Sequence, residues 1–438
     1  MNFDYIYIYL AILNLLVFMR NWNYINFINP FVSFYFGYFL FVVLGGFYDG
    51  HGHLYTIKYE VKLYVIIALY IILITGLINK YILCAFTKIN CNDFTKVPLT
   101  KVISPTVNKR LDLTMRIAYI FGILLTLIAF SKMSVIPMLS DNVHYYRVAE
   151  LHGKGYLFHP SRILIFISLT YFSVLYVSTK RISLLYLIGM SLLAFIILLG
   201  YGIRAEALKA IAFPSLIIIL TYLKPRLKEG LIILVLALAF FTFNGMLQYF
   251  RHYGLTNQID ILALLEFGWS NVGHRFWVQL ENLQHIVNSI PQGALNGSTY
   301  LNDLGMLIPG PNVTGGVILK EYIGLEFSGG GITPTILGEG YANFGLYIAF
   351  IFIFLLVNIL NIIYFFIYKI VLENRHKGGI TLLVTIFFIF GFSSYGFAST
   401  TLMGLIVVNF MPLLAVVTLV VLIYLSLEIF SRKKRLLK

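Results

Sequence analysis

The chain has 438 residues, of which 59% are hydrophobic, 16% aromatic and only 11% charged, with a formal net charge of +14 and a mean hydropathy of +0.86. A soluble domain carries about 25% charged residues, so that class is excluded. Repeated apolar runs of roughly 17 to 25 residues require an all-α, polytopic membrane protein, and the dyad alternation of a transmembrane β-barrel is absent.

In a chain this apolar the positive charge reads as topology signals plus a few functional arginines, and nucleic acid is not expected as a partner. The N-terminus carries Asp4 and no basic n-region, so it reads as a retained first span. Cys84 and Cys91 fall in one basic loop, where they are expected as free cytoplasmic thiols.

About eleven spans are predicted, near 3–19, 25–46, 61–79, 116–131, 163–179, 184–200, 205–223, 230–247, 340–367, 380–396 and 403–427. One set of loops gathers Lys80, Lys88, Lys96, Lys101, Lys109, Arg110, Lys180, Arg181, Lys224, Arg226 and the tail from Ser431 to Lys438. By the positive-inside rule that set is cytoplasmic, the N-terminus periplasmic and the C-terminus cytoplasmic. No repeat or low-complexity linker divides the chain, so 1–438 reads as a single membrane-embedded domain.

The outer connections come in order. Phe47 to Glu60 contains His51-Gly-His53, a pair too sparse to define a metal site. Lys132 to Arg162 holds Tyr146-Arg147 and three histidines that lack zinc spacing. Gly200-Tyr-Gly-Ile-Arg-Ala-Glu206 is very tight. The longest runs over 248–339 and is the large periplasmic loop.

Within that loop, Asp260 to Ile290 has apolar residues at helical spacing. It is expected to lie along the outer membrane interface, with Trp269 and Trp277 at headgroup level. Pro291 to Pro334 is rich in Gly, Pro and Asn and reads as irregular loop. Gly329-Gly-Gly331 and Pro334 mark a rigid turn before the ninth span, where Glu339 sits in the first turn as a cap, an arginine partner or a base.

Arg147, Arg204, Arg251 and Arg275 lie on the face where topology disfavours positive charge. An arginine near the membrane boundary costs about 2 kcal/mol or more unless it snorkels or is paired, as Arg204 could be with Glu206. Four together point instead to phosphate, whose oxygens a guanidinium fork binds bidentately. There is no G-x-x-x-x-G-K-[ST] loop and no clustered acidic pair for magnesium on the outer face, so no cofactor and no metal are expected. A polyprenyl diphosphate already leaves well, and arginines can stabilise the charge that develops on it.

Ile136-Pro-Met-Leu-Ser140, Tyr146-Arg147, Gly153-Lys-Gly155, Gly202-Ile-Arg204 and Gly330-Gly-Ile-Thr-Pro-Thr-Ile-Leu-Gly-Glu-Gly-Tyr-Ala-Asn-Phe-Gly345 together resemble the Wzy-type oligosaccharide repeat-unit polymerases. The resemblance implies a GT-C-like glycosyltransferase of the bacterial inner membrane. It would join undecaprenyl-diphosphate-linked repeat units on the periplasmic side, for O antigen of lipopolysaccharide, capsule or a related glycan, with a chain-length regulator as a further partner. The family's reliance on periplasmic arginines carries over to Arg147, Arg204, Arg251 and Arg275, the last three as catalytic residues; the residues themselves offer Glu339 or His274 to orient the acceptor hydroxyl. Substrate binding would fall to Arg147, Tyr146, His252, Gly330, Gly331 and Tyr341. The rival readings are an O-antigen ligase and a polyprenyl-linked glycan transporter or flippase.

Overall fold

The computed structural model describes residues 3–22, 29–47, 57–87, 108–140, 143–151, 154–222, 261–306, 313–326, 331–377 and 379–436, with a few isolated residues between 235 and 249. In chain order its helices are α1 (Phe3–Asn21), α2 (Pro30–Tyr38), α3 (Tyr59–Thr87), α4 (Lys109–Ser131), α5 (Val143–Leu151), α6 (Gly155–Thr179), α7 (Leu184–Leu199) and α8 (Arg204–Tyr222). They continue with α9 (Ile261–Ser289), α10 (Ser298–Gly305), α11 (Gly315–Ile323), α12 (Ile336–Phe344), α13 (Leu346–Glu373), α14 (Ile380–Ser393) and α15 (Met411–Leu436). No strand occurs among the described residues.

Five segments are long and apolar enough to cross a membrane: Tyr59–Phe86, Lys109–Ser131, Gly155–Thr179, Leu346–Glu373 and Ile380–Ala398. Pro30–Gly46, Leu184–Leu199 and Met411–Tyr424 are apolar but shorter. The chain is thus a multi-pass helical membrane protein. The first and seventh predicted spans coincide with α1 and α8, while most of 230–247 lies outside the described residues, as do His51, His53 and Cys91.

Helix ends depart from the apolar runs where caps extend them. α4 begins at Lys109, seven residues before the predicted span, because the Asn108 carboxamide accepts the N–H groups of Arg110 at 3.1 Å and Leu111 at 3.3 Å. Cys84 belongs to α3, buried in its last turns, and not to a loop. The predicted ninth span is two helices. Gly345, at φ +89°, ends α12 before α13 starts, a conformation open to glycine at no steric cost.

The chain forms two compact units, each discontinuous in sequence. The first comprises Met1–Val97, Ser270–Lys369 and Phe390–Val407; the second comprises Pro98–Trp269, Ile370–Ile389 and Val408–Lys438. In the first unit α1 packs on α3, with Phe18 stacked on Tyr35 at 3.7 Å between ring centres. In the second, α4, α6, α7 and α8 form an antiparallel bundle joined by α15. No linker marks these units because the chain passes from one to the other several times.

The segment predicted as the large outer loop has a core of its own. The helix predicted over Asp260 to Ile290 is found as α9, Ile261–Ser289. Its apolar stripe, Leu280, Leu283, Ile286 and Ile290, is buried. Ile286 and Ile290 pack with Leu295, Leu319, Ile332, Tyr341 and Ala342. Trp277, expected at headgroup level, is 1% exposed, its ring covered by protein. The stretch expected to be irregular contains α10 and α11. Gly297 (φ +83°) precedes α10, the Thr314 hydroxyl caps α11, and Gly324 (φ +74°) ends it. Local capping overrides the loop-like composition there.

Candidate functional site

At one end of the second unit α4 and α7 finish while α6 and α8 begin. Tyr201, in the turn from α7 to α8, packs between Phe130 and Phe158, each 4.8 Å away between ring centres. The segment Pro137–Leu139 and helix α5 cover this turn, and Met138 N–H donates to the Gly200 carbonyl at 3.2 Å. Gly202 takes φ +70°, and a Cβ there would lie 2.9 Å from Val143 Cγ1 and 3.8 Å from Arg147 Cβ. Arg147 therefore lies against the turn at Gly202, two residues before Arg204 in sequence.

Arg204 is the first residue of α8 and 8% exposed. A cation at a helix N-terminus opposes the helix dipole, at about 0.3–1 kcal/mol for an exposed site; an anion there would meet both guanidinium and dipole. Burial holds the Arg147 guanidinium below its usual range, so it too gains from an anionic partner. Tyr146, half-buried, precedes it on α5. Further along the same rim, Glu150 accepts from Lys154 Nζ at 2.8 Å and from the Ser134 hydroxyl, and these bonds hold its carboxyl down at about 2.

Just inside this end sits a charged group that sequence reasoning passed over. Glu206 is not the partner of Arg204; its Oε1 accepts Arg162 at 2.7 Å and Lys209 Nζ at 2.8 Å. Arg162 also donates to the Asn409 carboxamide at 3.3 Å and lies over the Phe158 ring at 5.2 Å. The signal was available: Arg162, Glu206 and Lys209 interrupt otherwise apolar helices.

In the first unit, Glu339 lies in the first turn of α12 with no exposed surface. Its Oε1 accepts the Thr299 hydroxyl at 3.0 Å and its Oε2 accepts Leu402 N–H at 2.7 Å. Asn343 Nδ2 donates to the Thr299 hydroxyl at 2.7 Å. Asp303, equally buried, accepts Gly315 N–H at 2.7 Å and Gly404 N–H at 2.9 Å. Two carboxylates thus tie α10, α11, α12 and the turn at Leu402–Leu405 into one hub. Burial pushes the Glu339 carboxyl up to about 8, against the pull of its bonds from Leu402 and Thr299. Each oxygen of this side chain takes one of these bonds, and together they brace the loop.

Gly331 has a similar internal explanation. A Cβ on it would fall 2.0 Å from Gly316 C and 2.2 Å from Val317 N, beside the bond from Ile332 N–H to the Gly316 carbonyl at 3.0 Å. The close approach is to the chain's own backbone. Gly331→Ala is accordingly expected to force the two segments apart, seen as faster proteolysis of the 291–334 region in an otherwise folded protein. Tyr341 is 6% exposed within the loop core. Arg251, His252 and Gly330 lie outside the described residues, and of His274 and Arg275 only the backbone, on α9, is described.

No curated protein and no solved structure matches the chain. Residues 5–373 match the model of a family described as "Putative O-antigen polymerase". That match covers nearly the whole chain, including both carboxylates of the hub and the arginine-bearing turn, and it agrees with a multi-pass membrane protein of polysaccharide biosynthesis. The chain belongs to the O-antigen polymerase family.

Proposed function

We propose that this protein is a metal-independent glycosyltransferase of the bacterial inner membrane that joins undecaprenyl-diphosphate-linked oligosaccharide repeat units on the periplasmic face. The growing chain moves from its carrier onto the incoming unit. The acceptor oxygen bonds to the donor's anomeric carbon, the carbon–oxygen bond to phosphate breaks, and undecaprenyl diphosphate leaves while the acceptor's proton passes to it or to water. Arg204, Arg251 and Arg275 bind the diphosphate and Arg147 assists with phosphate or glycan, stabilising the charge that grows on the leaving oxygens. Tyr146 and His252 line the glycan path, and His274 orients the acceptor hydroxyl. Glu339, Gly330, Gly331 and Tyr341 act through the shape of the outer loop.

The observation that supports this reading is the placement of Arg147 against Gly202, in the turn that leads into Arg204 at the start of α8, in a chain of this family. The distribution of lysine and arginine supports a periplasmic N-terminus and a cytoplasmic C-terminus. Deleting the gene is expected to leave single repeat units on the lipid A core, seen as one added band where a ladder stood. A mutant with no repeat units on the core would mark a ligase instead.

A further inference from the structure

The trio of Arg162, Glu206 and Lys209 is charged, mostly buried and unused by the reaction as described. Glu206 sets one carboxylate against two cations, and both draw on the same oxygen, so the trio carries net positive charge. Arg162 is held on three sides, by Glu206, by the Asn409 carboxamide and by the Phe158 ring. Lys209 is held on one. An ammonium has three N–H donors, and among the described residues Lys209 Nζ gives one, to Glu206. Its side chain keeps 18% of its surface exposed, against 4% for Arg162. Ionisable groups within apolar helices are retained where they serve a ligand or an ion path.

We infer that Lys209 is a further phosphate-binding residue for the lipid-linked substrate, and that Glu206 is a positioning residue that holds the Lys209 ammonium in place to receive it. The inference rests on the polymerase reading above. Lys209 follows Arg204 by five residues on α8, about 7.5 Å along the helix axis and about 140° around it. It would meet a phosphoryl oxygen from the side of α8 that carries Glu206 and Arg162, not from the face of Arg204. The compact ammonium acts as a point charge and needs no bidentate geometry.

The test uses the full-length protein in detergent or liposomes with a defined undecaprenyl-diphosphate-linked repeat unit, comparing Lys209→Met, Lys209→Arg, Glu206→Gln and Arg204→Ala. Lys209→Met is expected to raise KM for the lipid-linked unit about 10-fold or more, as for a lost charge-assisted bond. Lys209→Arg should restore most of this, and Glu206→Gln should raise KM more than it lowers kcat. Melting temperature in the same detergent separates loss of fold from loss of binding; were Lys209→Met unfolded, the KM of Glu206→Gln would decide. Unchanged KM in folded Lys209→Met, or in folded Glu206→Gln where Lys209→Met does not fold, overturns the inference. If Arg204→Ala is impaired in that same experiment, the polymerase reading survives; if Arg204→Ala is also normal, the diphosphate assignment itself falls.

Discussion

Replacing Arg204 by alanine is expected to lower the rate of polymerisation about 10- to 150-fold, the equivalent of one charge-assisted hydrogen bond worth about 1.5–3 kcal/mol. The effect should appear in kcat as well as kcat/KM, because the charge on the leaving diphosphate peaks in the transition state. Arg204→Lys should recover only part of the loss, since an ammonium cannot reproduce the two-pronged contact. In cells the result reads as a collapse of long glycan chains, with the protein still present in the membrane. Normal chain length in both Arg204→Ala and Arg251→Ala would remove the diphosphate role.

Asp303→Ala is expected to give the largest loss of stability. The carboxylate satisfies the N–H groups of Gly315 and Gly404 in a site with no exposure. Each buried donor left without a partner costs about 1–3 kcal/mol, so the substitution removes roughly 2–6 kcal/mol from a segment that α10 and α11 cannot hold alone. A drop in melting temperature in detergent, with early proteolysis in the 291–334 stretch, is the readout. Glu339 adds a pH signature. Its folded value near 8 lies above the ordinary 4.5, so between these pH values the folded state keeps a proton that the unfolded chain has released. Its contribution is complete below about 4.5 and is lost as pH rises through about 8. Glu339→Gln should flatten that decline; an unchanged pH profile would show that the carboxyl ionises in the fold as it does in water.

The sequence made the helical, membrane-embedded class legible because apolar run length is set by bilayer thickness. α9 was legible from the spacing of Leu280, Leu283 and Ile286. The break at Gly345 was not, since a glycine inside an apolar run does not reveal its φ. α10 and α11 were hidden because their Gly- and Asn-rich composition reads as loop, while the two carboxylates that secure them act over long sequence separations. Trp277 is placed at the headgroups on residue type alone, which does not reveal that the fold covers its ring. At the site, unusual arginines were found by their topology, which singled out Arg147 and Arg204. Arg162 escaped as a loop boundary, and Lys209 was absorbed into a predicted span. Sequence proximity offers Arg204 as a partner for Glu206, whereas α6 brings Arg162 to it.

The most direct measurement is product analysis with purified protein and a single defined undecaprenyl-diphosphate-linked repeat unit. The account predicts glycan chains of two or more units, with one undecaprenyl diphosphate released for each new glycosidic bond and with release suppressed in Arg204→Ala. Movement of repeat units across the bilayer with no undecaprenyl diphosphate set free would contradict it.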